Sequence, residues 1–92
     1  MTNLIFNFNN GDGSIATGLL FLSPSSAPFA YSGSLVIGDT LRIPVVTTTT
    51  SINNVIPTTY NVRVSTDKIQ TEFKILVPEL NGGTVDASTL II

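Results

Sequence analysis

The chain has no cysteine, no histidine and no tryptophan. Without histidine and cysteine it lacks the usual general base near neutral pH, the thiolate nucleophile and the common zinc ligands. An enzyme built on it would have to run on carboxylates, lysine, tyrosine or hydroxyls. The missing cysteines also exclude a disulfide or thiolate-metal staple, and oligomerisation is the remaining common support for a small core. Charge is scarce as well: Asp, Glu, Lys and Arg make up 11% of the 92 residues, and the net charge is −2. Ordinary soluble domains carry about 25%. Only Arg42, Arg63, Lys68 and Lys74 are basic, too few to neutralise a run of phosphates, so nucleic acid is not an expected partner. A membrane is not expected either. A spanning helix needs about 18 apolar residues, and the best run, Gly18-Leu19-Leu20-Phe21-Leu22, is strand-sized and stops at Ser23-Pro24. Met1 to Phe8 carries no basic stretch and no cleavable apolar segment, so synthesis in a cytoplasm without a leader is the expectation.

What the chain does contain is apolar. Hydrophobic residues are 42% of the composition and mean hydropathy is +0.40. A chain of this size buries only about 60–65% of its unfolded surface on folding. Part of the apolar content is therefore expected to serve contacts between subunits, with the rest in one small core.

The hydrophobic period is two. From Lys68 to Pro78, Ile69, Thr71, Phe73, Ile75 and Val77 alternate with Lys68, Gln70, Glu72, Lys74 and Leu76, the pattern of a strand with one buried face. Tyr60, Val62 and Val64 alternate with Asn61, Arg63 and Ser65, and Thr66-Asp67 is the turn that joins the two runs into a hairpin. Further strands are expected over roughly 3–8, 16–22, 34–37, 40–50 and 55–57, from β-branched and aromatic residues between Gly, Pro and Asn. Only Asp86 to Leu90 suits a helical turn, with Asp86 as its N-cap. The fold predicted is all-β: one domain over 1–92, a small antiparallel β-sandwich of about seven strands.

The run Thr47-Thr48-Thr49-Thr50 is too β-branched for a linker. It reads as a strand whose two faces are equally polar, hence weakly specified in register, leading into a turn-like Ser51-Ile52-Asn53-Asn54. Such a strand belongs at a sheet edge, where it is open to pairing with another chain.

Candidate chemistry is thin. Asp12, Asp39, Asp67 and Asp86 sit in turn contexts, where Asp bonds its own backbone, and nothing selects a catalytic pair of carboxylates. "NFNNGDGS" has glycines and oxygen ligands, but lacks the register and flanking helices of a calcium loop, so Asn10-Gly11 and Asp12-Gly13 read as turn dipeptides. No cofactor or metal is expected. No Asn-x-Ser/Thr sequon occurs. Most aromatics alternate in phase with aliphatics and are expected in the core. Phe29 and Tyr31, in the Pro-containing loop from Ser23 to Ser32, are either a flap over the core or a contact for a partner.

"VIPTTYNVRV", Val55 to Val64, resembles the Pro-x-x-Tyr-x-Val segment of transthyretin-like (prealbumin-like) β-sandwich domains. "FKILVPELNGGTVDASTLI", Phe73 to Ile91, is similar to the closing pattern of small modules of this type in tailed-phage virion proteins, and "IATGLLFLSPSSAP" to their second strand and loop. The matching residues are Pro57, Tyr60, Val62, Phe73, Val77, Pro78 and Asp86, all structural in that pattern. The Thr47 to Asn54 segment departs from it, where those modules often carry an Asp-Gly turn.

The resemblance implies a transthyretin/Ig-like, non-enzymatic sandwich. A phage capsid decoration (cement) protein is the function expected, binding the major capsid protein or another virion protein on the head surface as a homo-oligomer, a trimer by analogy. A chain of this length, self-contained from Met1 to Ile92, favours decoration over a tail-fibre or baseplate adaptor fused to a long shaft. A carbohydrate-binding module is the alternative of another class, with the missing tryptophan against it. The contact residues expected are Leu4, Ile5, Phe29, Tyr31, Thr48, Thr50, Leu90, Ile91 and Ile92.

Overall fold

The structure is a computed structural model and describes residues 1–46, 49–66 and 69–92. The described strands are β1 (Thr2–Asn7), β2 (Gly18–Pro24), β3 (Phe29–Tyr31), β4 (Ser34–Val36), β5 (Leu41–Val45), β6 (Thr49–Val55), β7 (Thr59–Thr66), β8 (Gln70–Leu76) and β9 (Thr84–Asp86). They form a small β-sandwich. One sheet has the order β6-β1-β9, the other β5-β2-β7-β8, and β3-β4 is a separate hairpin. The pairs are antiparallel except β1 with β9, which is parallel.

The β7–β8 hairpin is the one its alternation predicts, in register from Thr59↔Leu76 to Ser65↔Gln70. Thr66, expected in the turn, is the last residue of β7, and Asp67 and Lys68 lie outside the described residues. Val62, Val64 and Ile75 point inward and meet Leu20 and Leu22 of β2, Leu4 and Phe6 of β1, and Ile52 and Val55 of β6. Both sheets thus bury one face in a single core. The alternation overstates the strand at its start: Ile69, just before β8, and Thr71 are exposed, and burial begins at Phe73 and Ile75.

Two readings of the sequence are corrected. Residues 40–50 are not one strand: β5 ends at Val45 in one sheet, and β6 begins at Thr49 in the other. Thr49 and Thr50 open β6, and Thr47 and Thr48 lie outside the described residues. Ser51-Ile52-Asn53-Asn54 is no turn either, but the body of β6. Thr2 faces Val55 and Leu4 faces Ile52, so β6 spends one extra residue against β1, a β-bulge. Asn54 takes φ 60° there, a left-handed conformation that Asn tolerates better than most residues. Its N–H is held by Asn3 Oδ1 at 3.0 Å. The turn chemistry is real, but pairing with β1 turns it into a bulge.

From β6 the chain turns through Pro57 into β7, and Tyr60 closes that corner. Its ring is buried, and its hydroxyl donates to Ile56 O at 2.7 Å. This is the tyrosine-corner arrangement of Greek-key sandwiches. Burial raises the phenol pKa, so the donor stays protonated. Asp86 caps the 3-10 turn Ala87–Leu90 as predicted, accepting from Ser88 N at 3.0 Å. Phe29 and Tyr31 are part of the β3–β4 hairpin, with Ser32 (φ 47°) and Gly33 (φ 80°) at its tip. Two successive positive φ values are what a two-residue type I′ turn needs.

Candidate functional site

The expected contact residues divide. Leu4 is fully buried in the middle of β1, and Thr50 is buried at the start of β6, so neither side chain is on the surface. The reason is the pleat: Thr2, Leu4 and Phe6 face the core, while Ile5 lies on the other face of the strand and is partly exposed. Leu90 packs against the core from the 3-10 turn. Ile91 and Ile92 are 54% and 68% exposed. They lie along β8, since Ile91 bridges Ile75 and Ile92 N bonds Lys74 O at 3.1 Å. Phe29 and Tyr31 are half-buried, and Thr48 lies outside the described residues. The more exposed apolar groups of this region are ones the sequence reading passed over, Leu35 at 68% and Ile37 at 77%.

Tyr31 is tied down through Glu79. The carboxylate accepts from the Met1 amine, from Tyr31 Oη at 2.5 Å and from Asn81 N at 3.0 Å. Thr2 Oγ1 donates to Pro78 O and accepts from Leu80 N at 3.1 Å, so the chain start, the hairpin and the 78–83 loop form one hydrogen-bonded knot. The Met1 amine first, then the tyrosine hydroxyl and the Asn81 N–H, push the Glu79 pKa down to about 2. The folded-state value is below the ordinary 4.5, so the knot's contribution is present above that pH and is lost as pH falls toward 2. Glu79→Gln is expected to flatten the fall in melting temperature between about pH 5 and pH 2.5. Parallel acid melts of the two proteins check this, and identical slopes would refute it.

The outer face of the β5-β2-β7-β8 sheet carries the other concentration of polar groups. Register places Arg42, Phe21, Arg63 and Glu72 in one row across the strands, and Ser23, Asn61 and Lys74 in the next. Phe21, expected in the core, is on this outer face because Leu20 and Leu22 take the inner one. The Arg63 guanidinium lies over its ring, with Cζ 4.4 Å from the centroid, a cation–π contact worth about 0.5–1 kcal/mol at an exposed site. A groove of about 590 Å³ follows these rows, lined by Phe21, Ser23, Thr40, Asn61, Arg63 and Lys74 among others. A smaller space of about 200 Å³ lies between the open edges of β5 and β6, against Leu22, Ile37, Leu41 and Ile52.

Asp12 accepts from Ser14 Oγ at 2.6 Å and Ser14 N at 2.9 Å, which lowers its pKa, in a turn as the sequence implies. Among the described residues no group of three or more acidic side chains could hold a metal ion. No helix there is long and apolar enough to cross a membrane.

The class these features define is a small all-β sandwich with open sheet edges and a polar outer sheet face. No family model, no curated protein and no solved structure matches the chain.

Proposed function

We propose that this protein is non-enzymatic and acts by surface association, its copies assembling with one another and onto a larger particle, as a capsid decoration protein does on a phage head. The observation that carries the reading is the placement of exposed apolar side chains. Leu35 and Ile37 lie in and after the β3–β4 hairpin, with Ile37 beside β5, whereas Ile91 and Ile92 lie along β8. β5 and β8 are the two opposite edges of one sheet.

Loose packing does not account for this exposure. A folded monomer of this mass exposes about 5,200 Å², close to the 5404 Å² here. Two different apolar patches on opposite edges favour a head-to-tail contact between copies, which closes into a ring if the rotation allows. A trimer is the ring to test first. On a particle, the repeated array would make modest contacts collectively strong through effective concentration.

Paired edge variants test this. Ile91→Ser with Ile92→Ser blocks one patch, and Leu35→Ser with Ile37→Ser blocks the other; all four side chains are exposed, so the fold should be retained. Sedimentation is expected to show an oligomer for the parent, a monomer for each variant alone, and a one-to-one dimer for their mixture. A monomeric parent would overturn the reading. Removing Thr89 to Ile92 outright is a poorer test, because Leu90 belongs to the core packing. Electron microscopy of the protein mixed with phage particles separates lattice decoration from density at the tail tip, the outcome of the adaptor reading.

A further inference from the structure

We propose that the outer face of the β5-β2-β7-β8 sheet binds an acidic carbohydrate, a sugar ring bearing a carboxylate, in the groove over Phe21, Arg63 and Lys74. Charge distribution is the first argument. The chain is acidic overall at −2, yet Arg42, Arg63 and Lys74, all the basic residues among the described ones, share this face with Glu72 as its acid. The other described acids lie off it, in the turns at Asp12, Asp39 and Asp86 and in the knot at Glu79.

Availability is the second argument. Arg63 and Glu72 are cross-strand partners, but among the described residues the one ion pair joins Met1 and Glu79. The guanidinium of Arg63 lies instead over the Phe21 ring. In that place its N–H groups are in no ion pair with a described carboxylate, and arginine binds a carboxylate through two parallel hydrogen bonds.

Size and lining are the third. The groove is a half-open depression of about 590 Å³, within the range of small-ligand sites, about 300–1,000 Å³. Rows two residues apart along a strand lie roughly 7 Å from each other. A ring anchored by its carboxylate at Arg63 would therefore bring its hydroxyls over the next row. That row and its margin offer the Ser23 and Thr40 hydroxyls, the Asn61 amide and the Lys74 ammonium, and Glu72, in the row of Arg63, adds an acceptor. The mixture of donors and acceptors suits a polyhydroxylated ligand better than a bare anion. The site stands independently of the assembly proposed above.

Amide NMR titration of the full chain tests it, using a galacturonate tetrasaccharide, neutral cellotetraose and a poly-glutamate peptide of matched charge. The acidic sugar is expected to give saturable shifts at Phe21, Ser23, Asn61, Arg63 and Lys74. Loss of one charge-assisted contact in Arg63→Gln or Lys74→Gln should weaken binding at least about tenfold. Neutral sugar should bind at least about tenfold more weakly than the acidic one, and so should the peptide. Lys74 is exposed, so Lys74→Gln keeps the test valid should Arg63→Gln disturb the sheet. Absence of saturable shifts, binding by both variants as tight as the parent's, or peptide binding as tight as sugar would each overturn the proposal, the last by making this face a general anionic docking surface.

Discussion

Leu4→Ala is expected to cost about 2–5 kcal/mol, the range for a buried leucine whose cavity cannot collapse fully. The neighbouring Ile5→Ala should cost under about 1 kcal/mol. A domain of this length is held by only about 5–14 kcal/mol in all, so the first substitution removes a large share of the stability and the second leaves it nearly intact. Leu4 sits in the central strand of its sheet, fully buried against residues from both layers. Ile5 lies on the opposite face of the same strand and is partly exposed. Urea titrations read the difference directly as separate midpoints with similar slopes. Equal midpoints for the two variants would mean that β1 does not sit in the pleat described here. The pair also bears on assembly, because Ile5 remains available for a contact between copies and Leu4 does not.

Gly18→Ala should also be severely destabilising, by about 3 kcal/mol or more, the upper end for forced overpacking. A Cβ at this position would fall 2.0 Å from Ser65 O and 2.8 Å from Thr66 Cα. Those are backbone atoms of β7, which pairs with β2 at this point. No rotamer change relieves such a clash, so the β2–β7 ladder must open or shift. Gly11 supplies the contrast: a Cβ there meets nothing within 4 Å, and Gly11→Ala is expected to stay within about 0.5 kcal/mol. Thermal melts of the two variants decide the matter. A Gly18→Ala protein as stable as Gly11→Ala would show that the central ladder has slack at Gly18.

Several parts of the fold are legible because they depend on neighbours in sequence. The alternation from Tyr60 to Ser65 and from Lys68 to Pro78 identifies a hairpin, and the hairpin is there, with a register from Thr59↔Leu76 to Ser65↔Gln70 that only the structure sets. Asp86 ahead of Ala87-Ser88 marks a cap, and Asp12 between glycines marks a turn. Other features depend on a partner strand far along the chain. Leu19, Leu20, Phe21 and Leu22 are apolar on both faces of β2, so alternation cannot say which pair faces inward. Asn53-Asn54 carries turn chemistry, and only the register against β1 makes it a bulge. β9 is a three-residue strand paired in parallel with β1, too short for any periodic pattern to register.

The same division holds for the candidate surfaces. The exposed Ile91 and Ile92 follow from an apolar chain end, whereas Leu35 and Ile37 need the hairpin to be seen standing apart from the core. The row Arg42, Phe21, Arg63 and Glu72 joins residues from four strands, and no spacing in the sequence points to it. By itself, then, the sequence determined an all-β chain with one clear hairpin, a small core and little catalytic equipment, because composition and local alternation are enough for those. Which face of each strand is buried, that β5 and β6 belong to different sheets and which charges stand together were decided by tertiary structure alone, since pairing between distant strands sets the register, and a one-residue slip would turn every side chain of a strand to the other face.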